Sequence, residues 1–235
     1  MSEQQRPLEL YYWPTPNGRK VSIMLEECRL AYEVVMVDIT TGEQFSPDFL
    51  AISPNNRIPA IVDGQGPDGA PISVFESGAI LQYLARKTGR FGGATERERV
   101  AVEEWLFWQV GGLGPMAGQA SHFRLYAAEA IPYAIQRYTD EIHRLFGVMN
   151  TRLAACEYLA GPYSIADMAS IGWVRIWKRL GQDLADFPQL KRWCDAVHAR
   201  PAVARAMALD DSGRRRIDLA TDATARATLF GQRAR

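Results

Sequence analysis

The sequence holds little of what metal, redox or polyanion chemistry is built from. Its 235 residues include three cysteines, Cys28, Cys156 and Cys194, and three histidines. An odd number of scattered cysteines without a Cys-x-x-Cys pair excludes a disulfide framework and a zinc site, and reads as reduced thiols in a cytoplasmic protein. The isolated histidines add no metal-ligand spacing, so no metal is expected. Net charge is missing too: Lys+Arg and Asp+Glu number 27 each, so no global field draws the chain to nucleic acid or an anionic membrane surface. No apolar run approaches the roughly 20 residues of a membrane span. The polar stretch Met1 to Pro7 lacks the apolar core of a secretory signal. With 47% hydrophobic and 23% charged residues, the chain has the composition of a water-soluble protein with a real core, in one large domain or two small ones.

The first third changes period repeatedly. Leu8 to Tyr12 alternates and is bounded by the turn cluster Pro14-Thr15-Pro16-Asn17-Gly18, which predicts a strand and a loop. Val21, Met24, Leu25 and Cys28 fall at helical spacing, giving an amphipathic helix that ends near Ala31. Val34 to Val37 reads as a buried parallel strand, and Ser46-Pro47-Asp48 as the opening of a short helix. Ile58 to Asp63 and Ile72 to Phe75 flank a Gly/Pro/Asp-rich stretch and predict a hairpin, after which Ser77 caps a helix carrying Ile80, Leu81 and Leu84. The order β-α-β-α-β-β-α is that of a thioredoxin-like α+β domain, placed at residues 7–88. Beyond it the strands disappear. Glu103 to Val110, Tyr133 to Leu153, Ile165 to Leu180 and Leu190 to Met207 are helical in pattern, so residues 96–209 are expected to form an all-α bundle. Ser164-Ile165-Ala166-Asp167 has the form of a capping box. Gly111 to Pro115 reads as a helix break, and residues 210–235, with Arg214-Arg215-Arg216, as a polar tail.

Three short stretches could carry chemistry. Glu76-Ser77 stands where a strand stops and a helix starts: helix-terminal N–H groups and a serine hydroxyl suit a carboxylate, and the neighbouring acid suits an ammonium, the two charges of a γ-glutamyl end. A plain serine cap beside an incidental glutamate explains the same letters. Ile58-Pro59 opens a strand, either as a structural proline or as a cis bond beside a backbone that pairs with an extended peptide ligand. Thr15 and Asn17 offer a hydroxyl and an amide that could donate to a thiolate, each such bond being worth on the order of 1.5–3 kcal/mol. Thr15 as helix cap before Pro16 accounts for them without function. No cysteine occupies this loop, and Cys28 sits on an apolar helix stripe, so a reacting thiol would have to come from the ligand.

Taken in order, Thr15-Pro16-Asn17-Gly18-Arg19-Lys20, Ser53-Pro54-Asn55-Asn56-Arg57-Ile58-Pro59-Ala60-Ile61, Phe75-Glu76-Ser77-Gly78-Ala79-Ile80 and the Ser164–Asp167 cap resemble the cytosolic glutathione transferase superfamily, from about Leu8 to Leu209. The strings Trp105 to Met116 and Ile131 to Ile135 look like its bacterial Nu class, which is related to a yeast nitrogen regulator. The resemblance implies glutathione, or its disulfide, held at Asn17, Gln44, Arg57, Ile58, Glu76 and Ser77 with Thr15 near the thiol. It further implies a second glutathione at Arg137, and a homodimer. The family's usual catalytic Tyr, Ser or Cys of the first loop is absent, and Tyr11, Tyr12 and Ser22 do not clearly replace it. That departure favours glutathione-dependent disulfide reduction over conjugation of electrophiles, with a conjugating transferase, a non-catalytic glutathione-binding regulator and an assembly module as the alternatives.

Overall fold

The computed structural model describes residues 7–209 and 222–231. β1 (Leu8–Tyr12), α1 (Pro16–Cys28), β2 (Tyr32–Met36), α2 (Pro47–Ile52), β3 (Ala60–Asp63), β4 (Ile72–Phe75) and α3 (Ser77–Thr88) follow one another in the expected order. β2 starts before the expected Val34 and, as an edge strand, leaves that residue exposed rather than buried. They form a four-stranded sheet in the order β2-β1-β3-β4. β1 runs parallel to β2 and antiparallel to β3, and β3 and β4 make the hairpin. Alternation on β1 buries Leu8, Leu10 and Tyr12, against which Val21, Met24 and Leu25 of α1 and Ile80, Leu81 and Leu84 of α3 close the core. α1 stops at Cys28, short of Ala31. Arg29 turns left-handed at φ 56° and the N–H of Leu30 bonds back to Leu25 O at 3.1 Å, satisfying the last carbonyls. β3 begins at Ala60, after Pro59, which has no N–H to give a ladder.

The second half is helical: α4 (Glu96–Trp108), α5 (Gly114–Ser121), α6 (Pro132–Ala155), α7 (Ile165–Val174), α8 (Pro188–His198) and α9 (Pro201–Ala208). The chain does not break at Gly111–Pro115. It continues through a π-helical turn, Gln109–Leu113, into α5, and a Cβ on Gly114 would lie 2.7 Å from the Gln109 side chain. The expected helix Ile165 to Leu180 ends at Val174, beyond which tight turns lead to Gly181 at φ 74°. Leu190 to Met207 divides at Pro201, which holds Arg200 in extended backbone and separates α8 from α9. In the Ser164 cap the serine oxygen accepts from the second helical residue, Ala166, at 3.3 Å, while Asp167 accepts from the Ser164 N–H at 3.0 Å. Every residue of α7 is buried, and it packs on α1 with α9 beside it.

The two halves are joined by charge as well as by packing. Arg200, the residue before α9, and Arg205 of α9 pair with Glu27 and Glu26 at the end of α1, at 2.5 and 2.6 Å. Arg214–Arg216 lie outside the described residues. Part of the expected polar tail forms a further helix, α10 (Ala223–Phe230), whose Phe230 ring meets His122 and Tyr126 at 4.7 and 5.7 Å. Among the described residues no helix is long and apolar enough to cross a membrane.

Candidate functional site

The β1–α1 loop is fixed from both sides. Thr15 caps α1, its oxygen accepting the N–H of Gly18 at 3.1 Å, while the Thr15 N–H donates to Trp13 O at 2.7 Å. The cap uses the hydroxyl's acceptor side and leaves its hydrogen to donate elsewhere. Gly18 is required sterically, since a Cβ there would stand 2.3 Å from Trp13 O. From the helical domain, α7 presses Gly172 onto the same loop, where a Cβ would come within 2.6 Å of Pro16 O.

Beside this loop lies a cavity of about 260 Å³ lined by Asn17, Asn55, Arg57, Ile58, Pro59, Phe75, Glu76 and Ser77. Five of the expected residues, Asn17, Arg57, Ile58, Glu76 and Ser77, therefore meet at one place although the chain separates them widely. The Ile58–Pro59 bond is cis. Ile58 precedes the first paired residue of β3, so its backbone lies outside the ladder. Glu76 is exposed and adopts φ 67°, a left-handed conformation rare for a non-glycine residue, as the residue before α3. Asn55 donates to its carboxylate at 3.4 Å. Ser77 is buried at the first turn of α3, and behind it stands Lys20, whose ammonium donates to Ser77 Oγ at 3.2 Å. Lys20 is 2% exposed, and burial pulls its amine down to about 7, with the Glu76 charge acting in the opposite sense.

Gln44 and Arg137 do not line this cavity. Gln44 is turned inward, 1% exposed, with its amide donating to Ile39 O at 3.1 Å and its Oε1 buried without a partner. Arg137 is exposed on α6 and lies 3.8 Å from Glu141 of the same helix. Thr15 is half-buried next to the lining residue Asn17. The tyrosines and serine flanking the first loop, Tyr11 and Tyr12 on β1 and Ser22 on α1, do not line the cavity. Tyr11 donates to Glu9 at 3.1 Å, with burial and then Glu9 holding its phenol above the ordinary range. Tyr12 and Ser22 are fully buried, Ser22 donating to Arg19 O.

Asn55 and Lys20 were not among the sequence candidates. Lys20 had a signal: it stands four residues before Met24, on the apolar stripe of α1, where an ammonium is out of place. Asn55 belongs to a loop whose contact with Glu76 spans 21 residues and leaves no local pattern.

A larger cavity, about 590 Å³, lies in the helical domain against Trp177, Lys191, Cys194, Asp195 and His198. Burial pushes the Cys194 thiol up to about 12, and His198 Nδ1 lies 2.8 Å from the Cys194 carbonyl oxygen and 3.4 Å from its sulfur. Cys28 is likewise raised by burial, against a lowering contact from Thr88. No cysteine lines the smaller cavity, and among the described residues no group of His, Cys, Asp and Glu is placed to hold a metal.

Known proteins match this arrangement over most of its length. Residues 6–86 fit the family model of the glutathione S-transferase N-terminal domain and residues 127–201 that of the C-terminal domain. The disulfide-bond oxidoreductase YfcG of Escherichia coli is 52% identical over 213 residues, covering 90% of this chain and 99% of YfcG. A glutathione transferase from Burkholderia graminis, solved with two glutathione molecules per subunit, superposes with a TM-score of 0.84 at 43% identity, covering 91% of this chain and 92% of that one. One from Pseudomonas putida, solved with one glutathione disulfide per subunit, gives 0.83 at 42% identity, covering 88% and 93%. The chain belongs to the glutathione S-transferase superfamily, on its Nu-like branch.

Proposed function

We propose that the protein is a cytoplasmic, glutathione-dependent disulfide reductase. The observation that carries this is a cavity lined by the acid Glu76, by Ser77 as the first residue of α3 rather than its cap, and by Asn17 of the loop that Thr15 closes, with no protein thiol on its wall. The fit to glutathione is chemical. Glu76 suits the γ-glutamyl ammonium, and Ser77 with the α3 N-terminus suits the α-carboxylate. Ile58 offers unpaired main chain to an extended peptide. Arg57 and Asn17 line the remaining wall, and Gln44 joins through its unpartnered oxygen once it turns outward. The exposed Arg137 takes the second tripeptide.

In the net reaction two glutathione thiols become one glutathione disulfide, and the substrate disulfide accepts the two electrons and two protons to leave as two thiols. The chain's part is to hold and tune. Thr15 and Asn17 donate to the thiolate, and lowering a thiol by one pKa unit takes only about 1.4 kcal/mol. Neutral donors suit exchange, which is fastest when the attacking thiol titrates near the ambient pH. The relatedness to YfcG and to structures holding two glutathiones or the disulfide supports this reading.

The active form is a homodimer. Phe107 is 63% and Val100 47% exposed on α4, with Phe75 37% exposed at the edge strand β4, an apolar set that a second copy would cover. The function is tested by glutathione-dependent reduction of 2-hydroxyethyl disulfide, coupled to glutathione reductase and NADPH, beside conjugation of chlorodinitrobenzene. Fast disulfide turnover with slow conjugation is expected, falling about tenfold or more in Thr15→Ala and in Asn17→Ala. A reductase rate untouched by both substitutions contradicts the assigned activation.

A further inference from the structure

Lys20 is a charged side chain in a place that offers it almost nothing. Its ammonium can donate three hydrogen bonds, yet among the described residues its hydrogen-bond partner is Ser77 Oγ alone, at 3.2 Å, and no carboxylate lies within ion-pair distance. Burying an ammonium without a counter-charge is costly, and nothing in the packing of α1 requires it, because the positions around it are filled by Val21, Ile23 and Met24. The charged groups of the neighbouring elements are otherwise committed. Glu26 and Glu27, at the far end of α1, are held by Arg205 of α9 and by Arg200 just before it. Asp167 of α7 is held by Ser164, Trp193 and the Leu159 N–H, and Asp63 of β3 by Lys87 and Tyr83. Glu76 acts on Lys20 from across the cavity end, but its own carboxylate is exposed and reached by Asn55.

The geometry points to Lys20 as a positioning residue for the ligand's α-carboxylate, acting through Ser77; this rests on the assignment of the γ-glutamyl end to Glu76 and Ser77. An ammonium donating into the serine oxygen occupies its acceptor side and turns the serine hydrogen outward, so that Ser77 presents a donor to the cavity. The ligand's carboxylate then supplies the negative charge that the protein withholds from Lys20. Cation behind Ser77 and anion at Glu76 together mirror an α-amino-acid zwitterion. A bound carboxylate also favours the protonated amine, so binding takes up a proton whenever the free site is partly neutral. With the amine near 7 in the free protein, affinity is expected to weaken as pH rises from 7 to 8, by at most tenfold per pH unit for one linked proton.

The test is isothermal titration with S-methylglutathione, whose sulfur carries no proton and whose α-ammonium stays protonated over the range used, between pH 6 and 7.5 in buffers of different ionisation enthalpy. Wild type is expected to take up a fraction of a proton that grows with pH. Lys20→Met is expected to bind at least roughly tenfold more weakly at pH 6.5, as for loss of one charge-assisted hydrogen bond, with no proton uptake and a flat pH profile. Lys20→Arg, charged throughout this range, is expected to keep more of the affinity and to lose the uptake. Wild-type affinity and wild-type uptake in Lys20→Met overturn the proposal. Should Lys20→Met fail to fold by thermal melt, absence of uptake in wild type, or its persistence in Lys20→Arg, overturns it equally. Failure of the underlying assignment looks different: S-methylglutathione does not bind wild type, or it binds Ser77→Ala and Glu76→Gln as tightly as wild type.

Discussion

Asp167 in the helical domain and Lys20 in the thioredoxin-like domain are both buried charges near the start of a helix, and their surroundings differ. Asp167 is fully buried and receives hydrogen bonds from the Leu159 N–H, the Ser164 N–H and hydroxyl, and the Trp193 indole, at 2.8 to 3.2 Å. Burial raises its carboxyl to about 6 against the pull of these donors. Among the described residues Lys20 has one hydrogen-bond partner, and that partner faces a cavity. A buried charge satisfied by its own chain ties segments together: here the α6–α7 loop, the start of α7 and α8. A buried charge left short by its own chain marks where a ligand completes the structure. The same contrast runs along α1, whose last turn is closed by the ion pairs to α9 while its first turns face the cavity.

The largest effect that would break this comparison lies at Asp167. Asp167→Ala strands several donors at once and is expected to cost about 3–5 kcal/mol of stability, read by urea denaturation, with glutathione affinity kept in whatever fraction folds. A stability loss below about 1 kcal/mol would remove the structural half of the contrast. Next comes Ser77→Ala, expected to weaken glutathione binding about ten- to a hundredfold, the worth of a charge-assisted hydrogen bond, while the unfolding midpoint stays near wild type. A variant that melts early but binds normally would make Ser77 a mere helix residue. The smallest effect is a slope. The Lys20 amine is lowered on folding, so between pH 7 and 10 the unfolded chain binds the extra proton and ligand-free stability rises with pH, by at most about 1.4 kcal/mol per unit. Lys20→Met is expected to lack that component, seen as a difference between the two denaturation series. Parallel series would mean that Lys20 keeps its proton in the folded protein as it does in the unfolded chain, its charge already compensated.

Much of this was legible from local pattern. The alternation of β1, the stripe of α1, the hairpin and the Ser46 and Ser164 caps each rest on neighbours within a few residues. So do the candidates Asn17, Arg57, Ile58, Glu76 and Ser77, which sit in turn and cap motifs that the fold then gathers. What escaped was decided at long range or by tolerance of strain. Gly111 to Pro115 carries every mark of a breaker, but a π turn around the buried Gln109 absorbs it. The inward turn of Gln44 depends on the carbonyl of Ile39 and the packing over it. Lys20 lay on a stripe that predicts burial, but its partner is 57 residues away, so its role became visible only when α3 was set beside α1.

The central claim is that the reacting thiol belongs to the ligand and never to the protein. It is tested most directly in a chain in which Cys28, Cys156 and Cys194 are all replaced by alanine, with folding checked by circular dichroism. Glutathione-dependent disulfide reduction within about twofold of wild type is the expected result, since none of the three lines the cavity. A folded, cysteine-free protein that still binds glutathione but has lost the reductase rate would contradict the account.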